Sequence, residues 1–368
     1  MGVRRRSLGD DVNALPDPGF WAGRRVLVTG HTGFKGAWLT AWLTSLGAEV
    51  MGLSLPEPVS DPSLWELLAL PAADLRGDIV DDAWVDVVQT FAPSVVLHLA
   101  AQPLVSVGYS EPLRTFATNV VGTGQVLDAV LDLGGLDAAL VITTDKVYAP
   151  DQPLPHREDA RLGGHDPYSA SKAAAEHLVH SWPTRTPLAT ARAGNVIGGG
   201  DWAADRLLPD MARAWADGRP VVLRTVTGVR PWQHVLEPLR GYLLHAEALV
   251  RAADTAPRAV NFGPVEHQSV PVLDIVTFGS AHWARLDGGS AMPGWEVLDE
   301  RPYVETGTLS LDSALARGTL GWESVLSWQE AVGMTLAWYH AASAGSDTAD
   351  LVDRELTTYQ QLVRERSA

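Results

Sequence analysis

The sequence predicts an α/β protein, in which helices cover both faces of a doubly wound parallel sheet, with a smaller C-terminal substrate-binding domain. Two observations lead to this fold class. Short apolar runs rich in β-branched residues alternate with helical patterns from residue 24 to residue 263. A glycine-rich turn joins the first of these runs to the first helix.

The first unit of this alternation contains a strand at 24–29, a helix that ends near Leu46 and a second strand at 47–53. Trp38 and Trp42 fall on one face of that helix, as core residues do. Further strands are predicted at 93–99, 138–142, 187–193 and 259–263, and further helices at 82–91, 112–133, 170–179, 205–217 and 327–342.

The domain boundaries follow from a change of composition after residue 193, where a glycine-rich loop replaces the alternation. Residues 1–19 are expected to form a disordered leader before the fold. Residues 20–195, with 235–263 returning to them, are expected to form the domain built on the parallel sheet. Residues 196–234 and 264–345 would form the substrate-binding domain, and 346–368 a C-terminal helix or tail.

Composition excludes several classes of function. The chain has 368 residues, 46% of them apolar, and a formal net charge of −16, which argues against binding to nucleic acid or to an anionic membrane surface. It contains no cysteine, no signal peptide and no long uncharged apolar run, so we expect a cytoplasmic protein without thiolate chemistry or a membrane span.

The glycine-rich turn contains Gly30, Gly33 and Gly36, between a strand and a helix. This context is typical of a Rossmann-type dinucleotide site, where glycines allow a pyrophosphate to approach the helix N-terminus. The acidic residue that ordinarily binds the ribose is missing, because Ser54 stands at the end of the second strand. We expect no arginine near that position to hold a 2′-phosphate, so the prediction is NAD.

Two clusters of polar residues follow the strand at 138–142. Thr144, Asp145 and Lys146 come directly after it, and Tyr168 and Lys172 stand four apart on one face of the helix at 170–179. An ammonium beside a phenol is expected to lower the pKa of Tyr168, so that the tyrosine can accept a proton. A surface ion pair would be the structural alternative for Asp145 and Lys146.

These motifs resemble the extended short-chain dehydrogenase/reductase superfamily. The resemblance rests on the glycine turn, Gly77-Asp78-Ile79, His98-Leu99-Ala100-Ala101 and Tyr168-x-x-x-Lys172. Within that superfamily, residues 143–148, 191–202 and 230–238 are similar to the CDP-glucose 4,6-dehydratases. The chain departs from their usual His-Glu-Ala motif at 301–309, where Glu305 is present but the histidine is absent.

The resemblance implies that NAD is the cofactor and that it contacts residues along the cleft edge of the sheet. The cofactor-binding residues it implies are Gly30, Thr32, Gly33, Phe34, Lys35, Gly36, Ser54, Asp78, Ile79, Leu99, Ala100, Ala101, Asn119 and Thr143, together with Tyr168 and Lys172.

The implied reaction is an internal redox dehydration of a nucleotide-linked glucose, with CDP-D-glucose as the expected substrate. Tyr168 would take the C4 hydroxyl proton with help from Lys172 and Thr144, Lys146 would remove the C5 proton, and Asp145 would protonate the departing C6 hydroxyl. The expected substrate-binding residues are Gln102, Asn195, Arg206, Arg230 and Arg301, and no metal site is expected at His177 and His180.

Other functions stay open at this stage. The same scaffold would suit a sugar-nucleotide 4-epimerase or a dehydratase of another nucleoside-diphosphate sugar. A catalytically silent dinucleotide-binding regulator is a third reading, but such a protein has no need of Asp145, Tyr168 and Lys172 together. A homodimer or a dimer of dimers is expected, with the helix at 112–133 pairing across a two-fold axis as in this superfamily.

Overall fold

The computed structural model of the chain describes residues 14–58, 60–203, 205–264, 269–289, 291–298 and 308–366. Its strands are β1 (Arg25–Thr29), β2 (Glu49–Ser54), β3 (Ala73–Arg76), β4 (Val95–His98), β5 (Ala138–Ile142), β6 (Leu188–Ala193), β7 (Val196–Ile197), β8 (Val221–Leu223), β9 (Val229–Pro231), β10 (Gln233–His234), β11 (Ala259–Phe262), β12 (Ser269–Pro271) and β13 (Trp295–Val297).

Helices of very different lengths connect these strands. They are α1 (Pro18–Trp21), α2 (Phe34–Ser45), α3 (Leu64–Leu68), α4 (Val85–Phe91), α5 (Val105–Ser110), α6 (Pro112–Phe116), α7 (Thr123–Leu131), α8 (Pro167–Ser181), α9 (Leu207–Ala216), α10 (Leu236–Arg251), α11 (Val272–Leu286), α12 (Ala314–Leu320), α13 (Trp328–Ser343) and α14 (Thr348–Arg366).

Seven strands form one parallel sheet in the order β11-β6-β5-β4-β1-β2-β3. The chain runs outward in one direction from β1 to β3 and in the other from β4 to β11. The order therefore reverses between β1 and β4, and in open parallel sheets ligands bind in the crevice at that switch point. The predicted fold class, a doubly wound α/β sheet, is confirmed.

Apolar side chains of successive residues pack on opposite faces of this sheet. Leu27 and Val28 are neighbours in β1 but belong to different apolar clusters, as the alternation of side chains along a strand requires. Trp38 and Trp42 of α2 pack on the face that contains Val28, and Val130 of α7 packs on the other. Helices therefore bury both faces of the sheet.

Three elements differ from the sequence prediction. Ordered structure begins before the predicted boundary at residue 19, because the Asp17 side chain caps α1 and the Ala14 N–H donates to the Gly321 carbonyl. The predicted helix at 112–133 contains a π-helical turn, Ala117–Gly122, between α6 and α7. Strand β3 was not predicted, because its four residues are half-buried or exposed and its two apolar residues, Ala73 and Leu75, are too few to show a period.

Three two-stranded sheets lie outside the central sheet, and they pair β7 with β10, β8 with β13, and β9 with β12. Their strands come from the segments interpreted above as the substrate-binding domain. The C-terminal segment is a helix, α14, whose Leu356 and Tyr359 side chains are buried in the same apolar cluster as Trp42 of α2.

A buried carboxylate ties α10 to the C-terminal part of the fold. Glu237 accepts hydrogen bonds from the Val325 and Leu326 N–H groups, at 2.8 and 2.7 Å, and from the Tyr359 hydroxyl at 2.8 Å. The Arg240 guanidinium, also fully buried, lies 3.7 Å from the same carboxylate. One side chain therefore satisfies three donors and neutralises one buried charge.

Replacing Glu237 with alanine is expected to lower the free energy of unfolding by about 3–5 kcal/mol, because Arg240 loses its buried counter-charge. The shift of the urea midpoint measures this loss. Glu237→Gln is the matched control, since it keeps an acceptor oxygen for the two N–H groups. Its free energy of unfolding is expected to fall by less than that of Glu237→Ala. Equal midpoints for Glu237→Ala and the parent protein would contradict the assignment.

Candidate active site

A cleft of about 970 Å³ opens at the carboxyl ends of the central strands, where the strand order reverses. Residues that directly follow β1, β2, β4, β5 and β6 line it, and a large part of the remaining wall comes from 195–232. Thr144, Asp145, Lys146, Tyr168 and Lys172, which the sequence predicts as one catalytic group, all line this cleft.

The chain contains three lysines, Lys35, Lys146 and Lys172, and all three line the cleft. Lysine is ordinarily a surface residue, so the distribution is opposite to the usual one. The alternative interpretation of Asp145 and Lys146, a surface ion pair, does not explain why all three lysines line the cleft. The cleft concentrates the ammonium groups of the whole protein at one site.

Glycines shape the turn that forms one wall. Gly30 has a φ of +75°, a conformation that favours glycine. A Cβ atom on Gly30 would lie 2.8 Å from the Ala100 nitrogen, and one on Gly36 would lie 2.1 Å from the Gly30 carbonyl oxygen. The close approach of β1, the turn and α2 therefore requires residues without side chains.

The N-terminus of α2 faces the cleft. Gly33 occupies its N-cap without a side-chain cap, and Thr32, Phe34 and Lys35 line the cleft beside it. The N–H groups of a helix N-terminus carry partial positive charge and suit a pyrophosphate. These residues therefore fit a dinucleotide. Burial, together with the nearby charges of Arg206 and Lys172, lowers the pKa of Lys35 to about 8.

A relay of hydrogen bonds stands at the end of β2, where the ribose-binding acid is missing. The Ser54 hydroxyl lies 2.9 Å from His31 Nδ1 and accepts from the Thr32 N–H at 3.2 Å. His31 Nε2 lies 2.9 Å from Asp74 Oδ1 on the neighbouring strand. An acid is therefore present, but it acts on Ser54 through a histidine rather than directly.

The expectation that no arginine lies near this position is wrong. Arg76 stands opposite Ser54 in the register of β2 and β3. Its Nε lies 2.6 Å from the Asp74 carboxylate, and its guanidinium donates to the Leu55 carbonyl at 3.2 Å. Sequence reasoning missed Asp74 and Arg76 because it did not predict β3. Since Asp74 neutralises Arg76, the preference for NAD over NADP stands.

Two of the predicted ligand-binding residues do not line the cleft. Asn119 accepts from the Gln102 N–H and donates to the Ser171 hydroxyl, both at 2.8 Å. The Gln102 side chain accepts from the Leu104 N–H at 2.6 Å and donates to Thr115 at 2.8 Å. Both side chains hold the loop after β4 against its neighbours. The other residues predicted on the cofactor side, Asp78, Ile79, Leu99, Ala100 and Ala101, line the cleft.

A single 3₁₀ turn, Asp145–Val147, carries the predicted acid and base directly after β5. Asp145 is buried, and its Oδ1 accepts from the Thr144 hydroxyl at 2.9 Å. Its Oδ2 has no hydrogen-bond partner among the described residues. Lys146 is half-buried beside it. The carboxylate thus keeps one oxygen for a ligand, which is unusual for a buried polar atom.

Tyr168 and Lys172 lie one turn apart near the start of α8, and both are buried. The Lys172 ammonium donates to the Ile142 carbonyl at 3.1 Å, and burial lowers its pKa to about 8. Burial raises the pKa of Tyr168 to about 12, although hydrogen bonding to Thr144 and the charge of Arg206 oppose this rise. The expectation of a lowered pKa for Tyr168 is therefore wrong for the protein by itself, because desolvation outweighs the contacts that lower this pKa.

An ion pair lies beneath these groups that sequence reasoning did not identify. The Arg192 guanidinium binds Glu176 through two nitrogens, at 3.0 and 2.7 Å, and both residues are buried. Glu176 also accepts from the Thr143 hydroxyl at 2.5 Å. Thr143, predicted to bind the cofactor, lines the cleft, but its hydroxyl is used in this network. The sequence feature that could have indicated this ion pair is the position of Glu176, four residues after Lys172 in the same helix.

The substrate-side predictions are distributed around the far wall. Asn195 lines it with a φ of +38°. Arg206 is half-buried there, and its Nε has no hydrogen-bond partner among the described residues. Arg230 is buried, lines the same wall and donates to the Val229 carbonyl at 2.9 Å. Arg301, like the altered motif at 301–307, lies outside the described residues.

Neither a metal centre nor a membrane span is found in the part of the chain that the structure describes. It contains no group of three or more metal-ligating side chains. The His180 ring lies 3.4 Å from the buried Glu176 carboxylate, and this contact is a pairwise interaction between two side chains, not a metal-ligating group of three or more. None of the helices within this part combines the length and the apolar character needed to cross a bilayer.

Gly194 controls the space beside Asp145. A Cβ atom at residue 194 would lie 1.9 Å from Asp145 Oδ2, so Gly194→Ala must displace the carboxylate. We expect catalysis in this cleft to slow by about 10²-fold, the usual cost of a misplacement near 1 Å. Gly134→Ala, which has no atom within 4 Å of the added carbon, is the control. Equal rates for the two variants would show that the position of Asp145 is unimportant.

The fold and the cleft together define a dinucleotide-binding class of protein, in which Asp145, Lys146 and Tyr168 line the same cleft as the glycine turn. Residues 26–263 match the model of the NAD dependent epimerase/dehydratase family, and the chain belongs to this family. The predictions of the superfamily and of NAD are thereby confirmed.

Individual relatives match nearly the whole chain. It is 39% identical over 360 residues to CDP-glucose 4,6-dehydratase of Salmonella typhimurium, covering 93% of this chain and 98% of that relative. It is 28% identical over 332 residues to dTDP-glucose 4,6-dehydratase of Xanthomonas campestris pv. campestris, covering 85% and 92%.

Solved structures share the fold at lower identity. An epimerase from Methanothermobacter thermautotrophicus is similar with a TM-score of 0.75 and 23% identity, over 95% of this chain and 96% of that one. An NAD-dependent NDP-hexosamine 5,6-dehydratase involved in tunicamycin biosynthesis gives 0.69 and 22%, over 86% and 98%.

Proposed function

We propose that this enzyme is a hydro-lyase that converts CDP-D-glucose to CDP-4-dehydro-6-deoxy-D-glucose. The observation that carries the proposal is the placement of Asp145 and Lys146 in the same cleft as Tyr168 and Lys172. Dehydration needs an acid and a base in addition to the redox tyrosine, whereas simple oxidation of an alcohol does not. The near full-length similarity to a CDP-glucose 4,6-dehydratase supports the choice of substrate.

Oxidation of the sugar at C4 is assigned to Tyr168, whose deprotonated phenolate oxygen accepts the C4 hydroxyl proton while Thr144 hydrogen-bonds the same group. The glycine turn would hold NAD⁺, which would supply a hydride acceptor for C4 and a hydride donor for C6, so that the reaction would have no net oxidation. Lys172 contributes a cation beneath the strand end at Ile142. The new ketone makes the neighbouring C5 proton acidic, which prepares the elimination.

Elimination is assigned to the 3₁₀ turn. Lys146 accepts the C5 proton, and Asp145 donates a proton to the departing C6 hydroxyl through Oδ2, the oxygen beside Gly194 that has no hydrogen-bond partner among the described residues. Because the two residues are adjacent in the backbone, one rigid turn positions both. Arg206 and Arg230 supply positive charge for the substrate diphosphate on the opposite wall.

Incubation of the purified protein with NAD and each of CDP-, dTDP-, UDP- and GDP-glucose tests this proposal. The expected product is a 4-keto-6-deoxy sugar, seen by mass spectrometry as the loss of one water from CDP-glucose. Turnover of another nucleotide sugar in preference to CDP-glucose would change the substrate. A product that keeps the C6 hydroxyl would indicate the alternative, a 4-epimerase.

We further propose that the protein acts as a homodimer in the cytoplasm, where its nucleotide-sugar substrate is found. The segment 105–122 exposes several large apolar side chains next to α8, and a second copy would cover them. They are Tyr109, Leu113, Phe116 and Val121, with Leu113 86% exposed. The sequence also left open a dimer of dimers.

Leu113→Glu is expected to shift the protein to monomers in sedimentation, because a charge on a buried apolar contact is strongly unfavourable. Met292→Glu is the control, since Met292 is also exposed but lies far along the chain from this segment. An unchanged sedimentation coefficient for Leu113→Glu would argue against this interface.

A further inference from the structure

A second, much smaller cavity lies on the far side of the predicted base. It has a volume of about 20 Å³, and Lys146 lines both this cavity and the large cleft. A polar space of roughly 10–15 Å³ is sufficient for one water molecule. His156 and Ser169 provide polar groups in its wall, and the exposed His165 lies at its outer side.

His156 is a buried histidine that the proposed mechanism does not use. Its ring stacks on Tyr148, with centroids 4.8 Å apart and an interplanar angle of 30°. Its Nδ1 has no hydrogen-bond partner among the described residues, although the side chain is 2% exposed. Burial lowers the pKa of His156, and the charge of Asp145 opposes this shift. A neutral imidazole can both donate and accept a proton.

The proposed reaction leaves Lys146 with a proton that it has to hold and then return. Lys146 takes one proton from C5 and becomes an ammonium, and C5 must receive one proton after water has left. The proton returned need not be the one removed, because the ammonium carries three hydrogens. A proton path on the side of Lys146 away from the sugar decides which hydrogen reaches C5.

We propose that His156 and one water molecule in the small cavity exchange the protons of Lys146 with solvent during each turnover. The water would bridge Lys146 to His156, and the path would leave the protein near His165. Every exchange moves one proton in and one proton out, so no net charge or redox change occurs. This inference rests on the proposed function, because it concerns the proton removed from C5.

The side chain of His156 can be changed without removing the contacts that hold its loop. Those contacts are made by the backbone: the His156 N–H donates to Ser310 at 2.9 Å, and its carbonyl accepts from Asp312 N–H at 2.8 Å and from Asn261 Nδ2 at 3.0 Å. Phenylalanine keeps a ring for stacking on Tyr148 but has no group to transfer protons. Glutamine keeps polar atoms and provides a second variant.

The test uses CDP-glucose deuterated at C5, with product analysed by mass spectrometry after a single turnover in ordinary water. We expect the parent enzyme to lose nearly all of the deuterium. His156→Phe should retain about one third of it, since one of three ammonium hydrogens is then the original deuteron. His156→Gln should also retain part of the deuterium, since its amide keeps polar atoms in the cavity wall but does not take up and release protons. His282→Phe is the matched control, because His282 also stacks on a ring, that of Phe278, away from both cavities.

Complete loss of deuterium in His156→Phe, at a dehydration rate similar to that of the parent, would overturn the inference but leave the proposed function intact. Loss of label in both His156 variants equal to that in His282→Phe would do the same. If the parent enzyme forms no dehydrated product from CDP-glucose, the proposed function fails, and this inference fails with it.

Discussion

Lys146→Ala is expected to slow dehydration by about 10²–10⁴-fold, the range for loss of a general base. The first oxidation does not need this base, so the near-ultraviolet absorbance of reduced nicotinamide should still appear in a single turnover. It should then persist, because the ketone intermediate cannot lose its C5 proton. With sugar deuterated at C5, exchange of the label into water should stop as well.

Lys146→Arg provides the matched control for this variant. Arginine keeps the positive charge near Asp145 but does not lose a proton in proteins. It should therefore fail as the base, although it preserves the electrostatic environment. If either variant dehydrated the sugar and exchanged its C5 hydrogen at the parental rate, the assignment of Lys146 would have to be abandoned.

Tyr168→Phe is expected to produce a block at an earlier step. The phenolate oxygen is the group assigned to accept the C4 proton, so its removal should lower the rate of the first oxidation by about 10²–10⁴-fold. Reduced nicotinamide should not accumulate, in contrast to the behaviour of Lys146→Ala. Stopped-flow absorbance distinguishes the two variants, and product analysis should show that both have lost dehydration.

Tyr242→Phe is the control for loss of a buried phenol. The Tyr242 side chain is fully buried, its hydroxyl has no hydrogen-bond partner among the described residues, and it does not line the cleft. Its removal should leave the rate nearly unchanged. Formation of reduced nicotinamide by Tyr168→Phe at the rate of Tyr242→Phe would exclude Tyr168 as the proton acceptor.

The pKa of Tyr168, which governs whether it can accept a proton, differs from the value that its spacing from Lys172 suggests. A separation of four residues places Tyr168 and Lys172 on one helix face, and they do lie together. Burial nevertheless raises the pKa of Tyr168 to about 12, since a desolvated phenolate is costly. Charges near the phenol then become important, and Arg206, which comes from a distant part of the chain, is one of them.

Several functional contacts depend on neighbours that spacing does not reveal. Asp74 reaches Ser54 through His31 only because β3 pairs with β2. Short, partly exposed strands such as β3 contain too few apolar residues to show the periodicity that would predict them. Asn119 illustrates the opposite error, because it stands in an expected position yet supports a loop rather than lining the cleft.

The sequence by itself determined the features that depend on local patterns. These are the alternation of strands and helices, the glycine turn before α2, and the order of Thr144, Asp145 and Lys146 after a buried strand. Each arises from residues within one or two elements, whose backbone geometry follows from spacing and residue type. Only the tertiary structure decided which side chains share the cleft, how burial shifts their pKa values, and that His156 meets Lys146 at a second cavity. Those properties depend on contacts between residues far apart in the chain and on the exclusion of water around them.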